Sequence, residues 1–201
     1  MTTPVDRVEK AMETELSRLG SEKLLLAATG ADIRDATVAG VLAATLAVGA
    51  ENCIAWADAT DDSTLSALLM DAGECYREIR SETLEAWPDA EDSADPLVNP
   101  TDPGEDSRRI GIGLLGLPIL LDRLLLQAVS YHVNEANTTA ADRLREFRTS
   151  IRELSDGAAD NLEDEAVEEP AVESAGAVIE AAYERYADRL EAMGLDPKPL
   201  C

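Results

Sequence analysis

The chain has 201 residues, of which 41 are acidic and 17 basic, for a formal net charge of −24 and a pI near 4.2. Such a surface repels phosphate backbones, because nucleic-acid affinity rests on Lys and Arg displacing counterions, and it repels anionic lipid for the same reason. At 45% hydrophobic, the chain still carries the apolar content of a folded domain, and its length suits one domain of about 100–200 residues.

Helical periodicity dominates. Pro4 suits a first turn, and Val8, Met12, Leu16 and Leu19 follow at steps of three and four. Gly20-Ser21 interrupts this pattern, Ser21-Glu22 restarts it through Leu24-Leu25-Leu26, and Gly30 stops it. A long helix is expected from about Asp35 to Asp58, with a small-residue face of Gly40, Ala43, Ala44, Ala47 and Ala50 that permits close approach by a neighbour. Asp62-Ser63 caps the next helix, which carries Leu65, Leu69, Ala72, Tyr76, Ile79 and Trp87 and ends at Pro88.

Residues 88–107 read as a long crossover, with Pro88, Pro96, Pro100, Pro103 and Gly104 among acidic residues. A helix then runs from about Arg108 to Glu135, with a kink expected at Pro118, which has no N–H to donate. Its run from Ile110 to Leu121 is shorter than the roughly 20 apolar residues of a membrane span and reads as a buried core helix. Asn137-Thr138-Thr139 caps another helix with Leu144, Phe147 and Ile151 on one side. Residues 156–171 read as an exposed, mobile acidic segment. A last helix is expected from about Val172 to Met193, with Gly194 as its C-cap.

These elements predict an all-α single domain over 1–201: a ferritin-like four-helix bundle with additional short N-terminal and C-terminal helices. Such bundles hold two metals when a Glu from each of two helices and a Glu-x-x-His pair from each of two others face inward. With one histidine in the chain, two such pairs are arithmetically impossible. His132 and Glu135 are three residues apart on one helix face, in reversed order, and read either as metal ligands or as a helix-end histidine beside a carboxylate. Glu51 follows the small-residue face and needs a partner there, an Arg or a metal. Glu22 lies at a suitable depth for a ligand, and Glu74 with Glu78 could serve, or could form a solvated face with Arg77 and Arg80. The candidate metal set is therefore Glu22, Glu51, Glu74, His132 and Glu135, for iron or manganese, and the incomplete set makes a bound cofactor the less expected outcome. Asp122 interrupts the most apolar helix and is either a buried polar anchor or the edge of the buried stripe.

Cys53, Cys75 and Cys201 form no C-x-x-C pair and read as small core residues of a reducing interior. Gly111-x-Gly113-x-x-Gly116 matches the dinucleotide fingerprint in letters but follows no strand, so it reads as close helix packing. The N-terminus has no charged-then-apolar leader pattern, so a cytoplasmic protein is expected. Only Lys10, Lys23 and Lys198 are lysines. An acidic, lysine-poor, alanine-rich chain suits a salt-loaded cytoplasm, where a Debye length of about 3 Å at molar salt screens its self-repulsion.

Four strings carry a family resemblance: Leu19-Gly20-Ser21-Glu22-Lys23, the segment from Glu51 to Trp56-Ala57-Asp58, Val133-Asn134-Glu135-Ala136, and the tail from Leu190 to Cys201. In these the chain resembles rubrerythrin-like proteins of halophilic archaea. The resemblance implies a ferritin-like bundle and, in active members, a di-iron site that reduces peroxide. The chain departs from that pattern where Cys75 precedes Tyr76 in place of a histidine and Ala72 stands where a glutamate is needed. The resemblance thus implies the fold more than the activity. Three readings follow: a non-catalytic bundle that works as a homodimer or interaction module, an iron- or manganese-dependent oxidoreductase acting on peroxide or O₂, and a scaffold whose small-residue face packs on a protein partner.

Overall fold

A computed structural model of the protein describes residues 3–90, 94–159, 162 and 165–197, with positions 165 and 166 described by their backbone alone. Every regular element among them is helical. Three short helices open the chain: α1 (Pro4–Ala11), α2 (Glu13–Leu19) and α3 (Lys23–Thr29). The Thr3 hydroxyl accepts from the Asp6 N–H, and the Asp6 carboxylate accepts from the Thr3 N–H, which satisfies two orphan donors at the start of α1. Gly30 closes α3 in the left-handed conformation, φ +62°, where a side chain would be strained.

Two 24-residue helices follow, α4 (Asp35–Asp58) and α5 (Ser63–Ala86), joined by a tight turn. The Asp62 carboxylate caps α5 by accepting from the Thr64 and Leu65 N–H groups. The two helices form an antiparallel hairpin that closes through glycines. A Cβ on Gly49 would come within 2.9 Å of the Tyr76 ring, and one on Gly73 within 2.7 Å of Ile54. Of the small-residue face of α4, Gly40, Ala43 and Ala50 are buried within the chain, and Ala44 and Ala47 are half-buried. The crossover covers more of the same helix: the Leu97 N–H donates to Thr45 Oγ1 (3.0 Å), and Asn52 Nδ2 donates to the Pro100 carbonyl (3.1 Å).

The crossover ends in a continuous helical stretch made of α6 (Asp106–Ile110), a π-helical turn (Gly111–Gly116) and α7 (Leu117–Asn134). Where the sequence predicts a kink at Pro118, the helix widens into this π turn. The Leu117 N–H reaches back five residues to the Ile112 carbonyl. In that register the next acceptor is the Gly113 carbonyl, and its donor would be residue 118, a proline. Tyr76 of α5 supplies the missing donor, with its hydroxyl 2.6 Å from the Gly113 oxygen.

The three glycines of the turn are contact points rather than a nucleotide loop. A Cβ at Gly111 would run into the Ala171 carbonyl, one at Gly113 into Cys53 Sγ, and one at Gly116 onto the backbone of Ala175. Every residue from Arg109 to Asp122 is buried, as expected of a core helix. By length and hydropathy alone, Asp35–Asp58 (mean 1.6) and Asp106–Asn134 (mean 1.8) could cross a bilayer; 61% and 89% of their apolar windows are buried inside the molecule. The sequence expectation that the apolar run is too short for a span is corrected to this extent: the helix is long enough, and its apolar surface is covered by the rest of the chain.

α8 (Thr138–Ala159) returns antiparallel to α7, its first turn held by Asn137 Oδ1, which accepts from the Ala140 N–H. α9 (Glu165–Ala192) has 28 residues and packs along the π turn, α6 and the three N-terminal helices. The expected short C-terminal helix is therefore a long one that begins before Val172. Of the acidic segment 156–171, residues 156–159 belong to α8 and 165–171 to α9, and Ala158, Leu162 and Ala171 are buried; positions 160, 161, 163 and 164 lie outside the described residues. Glutamate is a good helix former, and Arg7 of α1 holds Glu168 (2.6 Å) and Glu169 (2.9 Å), so a charged run becomes an element anchored to the opposite end of the chain.

Candidate functional site

The five candidate ligands do not converge. Glu22, at the start of α3, is exposed. Glu51 is exposed as well, because the buried side of α4 at that level is formed by Ala50, Cys53, Trp56 and Ala57. Glu74 is exposed and pairs with Arg77 at 3.4 Å across one helical turn, the solvated-face alternative of the sequence reading. Glu135 lies just past the end of α7 in solvent. Among the described residues no group of three His, Cys, Asp or Glu side chains is placed to hold a metal ion. Helical spacing puts residues on a common face, and here the packing turns those faces outward.

His132 is the exception and is 1% exposed. It sits in the last turn of α7, stacked on Trp87 at the end of α5 (centroids 5.6 Å apart) and edge-on to Tyr131 (4.9 Å). Its Nδ1 is buried without a hydrogen-bond partner among the described residues. The closest carboxylate is not that of Glu135 three residues on but that of Asp35, the first residue of α4, whose Oδ1 lies 3.9 Å from Nδ1, beyond hydrogen-bond reach. The Tyr131 hydroxyl donates to the same Asp35 oxygen at 2.9 Å. Burial pushes the His132 pKa down, against the opposing pull of Asp35 and Glu135. Burial, together with the hydrogen bond to Asp35, raises Tyr131 to about 12.

The other buried charges are structural ties. Asp122 is the anchor of the sequence alternatives: Arg148 and Arg152 of α8 each donate to it from Nε at 2.7 Å. Burial would raise its carboxyl, and the two guanidiniums outweigh burial and hold it below the usual carboxylate range. Arg109, 8% exposed at its side chain, grips Asp102 of the crossover through two nitrogens (2.9 and 3.0 Å) and donates to Asp106 and to the Ala59 carbonyl. Arg189 of α9 donates to the Ala27 and Ala28 carbonyls at the end of α3 and to Asp95 (2.7 Å). A cavity of about 420 Å³ opens beside this last tie, lined by Thr37, Val41, Asp95, Arg189 and Met193 among others.

The sequence reading missed Asp35 and Trp87 as neighbours of His132, since both lie about a hundred or fewer residues away with no local signal. Arg148 and Arg152 did leave one: a pair of arginines spaced i, i+4 beside Phe147 and Ile151 in a chain poor in basic residues. Of the three cysteines expected in the core, Cys53 is buried there, Cys75 is only half-buried, and Cys201 lies outside the described residues. Burial pushes Cys53 up to about 12 and also raises the half-buried Cys75, with Glu78 and Glu153 adding to it. Neither is an activated thiol. No family model matches the chain, and no curated protein or solved structure is significantly similar to it.

Proposed function

We propose that this chain is a non-catalytic, ferritin-like helical bundle of a salt-loaded cytoplasm, related to rubrerythrins, that works by assembling with a second copy of itself or with a protein partner. One observation carries the reading: Asp122, Arg109 and Arg189, three of the buried or half-buried charges, are each engaged in joining two segments of the chain. The hairpins α4–α5 and α7–α8, joined by a long crossover, support the ferritin-like topology. The net charge of −24 supports the salt adaptation.

The test is protein purified without chelators in molar KCl, with metal content and mass measured together. Sub-stoichiometric iron and manganese with a mass above that of one chain is the expected result. Two irons per chain with an oxo-bridge absorption band would overturn the reading in favour of a peroxide- or O₂-handling oxidoreductase. A monomer at every concentration would overturn self-assembly. The melting temperature is expected to rise from dilute buffer to molar KCl as screening relieves self-repulsion, and an unchanged value would refute the salt adaptation.

A further inference from the structure

We propose that His132 is an acid-operated latch: while neutral it holds the end of α7, the end of α5 and the start of α4 together, and when protonated it releases them. The ring is enclosed by Trp87 from α5, by Tyr131 from its own helix and by the α4 terminus that carries Asp35. As a neutral imidazole it packs as an aromatic. As an imidazolium it needs an acceptor, because a buried charge without a hydrogen bond is strongly disfavoured.

The groups facing it do not supply one. On α4, Asp35 Oδ1 stands 3.9 Å from Nδ1, is half exposed, and already accepts from Tyr131. On α7, Glu135 is in solvent and acts only through space, and Tyr131 stays a protonated donor. The end of α5 contributes Trp87, which does not titrate, and Glu85, which is exposed and lines the cavity beside Trp87. Of the nearby cations, Arg34 is held by Asp32 (2.6 and 2.8 Å), and Arg143 lines, with Trp87, a cavity of about 320 Å³ between the ends of α5 and α8. The depressed imidazole basicity agrees with this geometry: burial outweighs both carboxylates.

The sign follows. A base whose folded pKa lies below its unfolded value of about 6.5 leaves stability intact above that pH and removes it as pH falls below. Opening would expose Trp87, Tyr131 and the junction between α7 and α8, next to the exposed Val133.

One histidine in 201 residues makes the test clean. The imidazole resonances and the melting temperature of the whole chain are followed in molar KCl from about pH 7.5 to about pH 5.5, the range in which histidine titrates. The expected result is one proton bound with a midpoint below about 6.5 and a melting temperature that falls across the range. His132→Gln is expected to flatten that fall. Asp35→Asn keeps an acceptor for Tyr131 and is expected to move the imidazole midpoint lower still, which decides the matter if His132→Gln does not fold. A midpoint at or above the ordinary value, a flat wild-type profile, or an equal slope in His132→Gln would each overturn the latch.

Discussion

The α4–α5 hairpin is joined by absence of side chains and the α7–α8 hairpin by presence of charge. In the first, Gly49 lets the Tyr76 ring lie against the α4 backbone and Gly73 admits Ile54. In the second, one buried carboxylate, Asp122, receives two arginines from the facing helix beside the apolar contacts of Leu144, Phe147 and Ile151. The difference teaches how a chain with so few cations places them. Glycine contacts need no solvation chemistry, so they suit the interior of the helical fold. The Asp122 tie sits toward the edge, where Arg152 is half exposed and the acid excess would otherwise repel.

The sharpest way to break the comparison is Asp122→Ala. It leaves two arginines facing each other over a cavity and should cost about 3 kcal/mol, the low end for breaking a buried pair because Arg152 reaches solvent. Chemical denaturation measures it, and a loss below about 1 kcal/mol would reclassify the tie as a surface ion pair.

Tyr76→Phe tests the tie between α5 of the other hairpin and the π turn. It leaves the ring packing intact and strips the Gly113 carbonyl of the donor that Pro118 cannot supply, at an expected cost of about 2 kcal/mol. Gly73→Ala in the same hairpin gains about 1 kcal/mol of helix propensity and forces Ile54 aside, so a net loss of about 1 kcal/mol is expected. A stabilised Gly73→Ala would mean that the helices can part at no cost.

The smallest effect is one of pH. The Asp122 carboxyl is held below its unfolded value of about 3.9, so its contribution is complete above that pH and disappears as pH falls through the lower folded value. Acid titration of wild type against Asp122→Asn should show the wild type losing the larger share of its stability below about pH 4. That window is separate from the one in which His132 titrates.

Much of the helical layout was legible in the sequence for local reasons. Asp62, Asn137, Gly30 and Gly194 mark ends because caps and left-handed glycines act within one turn of their own position. The start of α9 was not legible. Glu168 and Glu169 read as a solvated run until Arg7, some 160 residues earlier in the chain, pairs with both. The candidate site was less legible still. The acids at helical spacing were easy to find and proved to face outward, since 41 acidic residues make any spacing common.

The sequence by itself determined the helical class, the caps, the buried apolar stretch around residues 110–121 and the ceiling that one histidine places on metal chemistry, because composition and short-range periodicity carry that information. Only the tertiary structure decided which charges go inside and what they meet. Asp122 became an anchor because α8 brings Arg148 and Arg152 to it. His132 Nδ1 was left without a hydrogen-bond partner among the described residues because α4 delivers Asp35 to 3.9 Å and no closer. The physical reason is that the cost of a buried polar group depends on its nearest partners, and helix packing chooses those partners from distant parts of the chain.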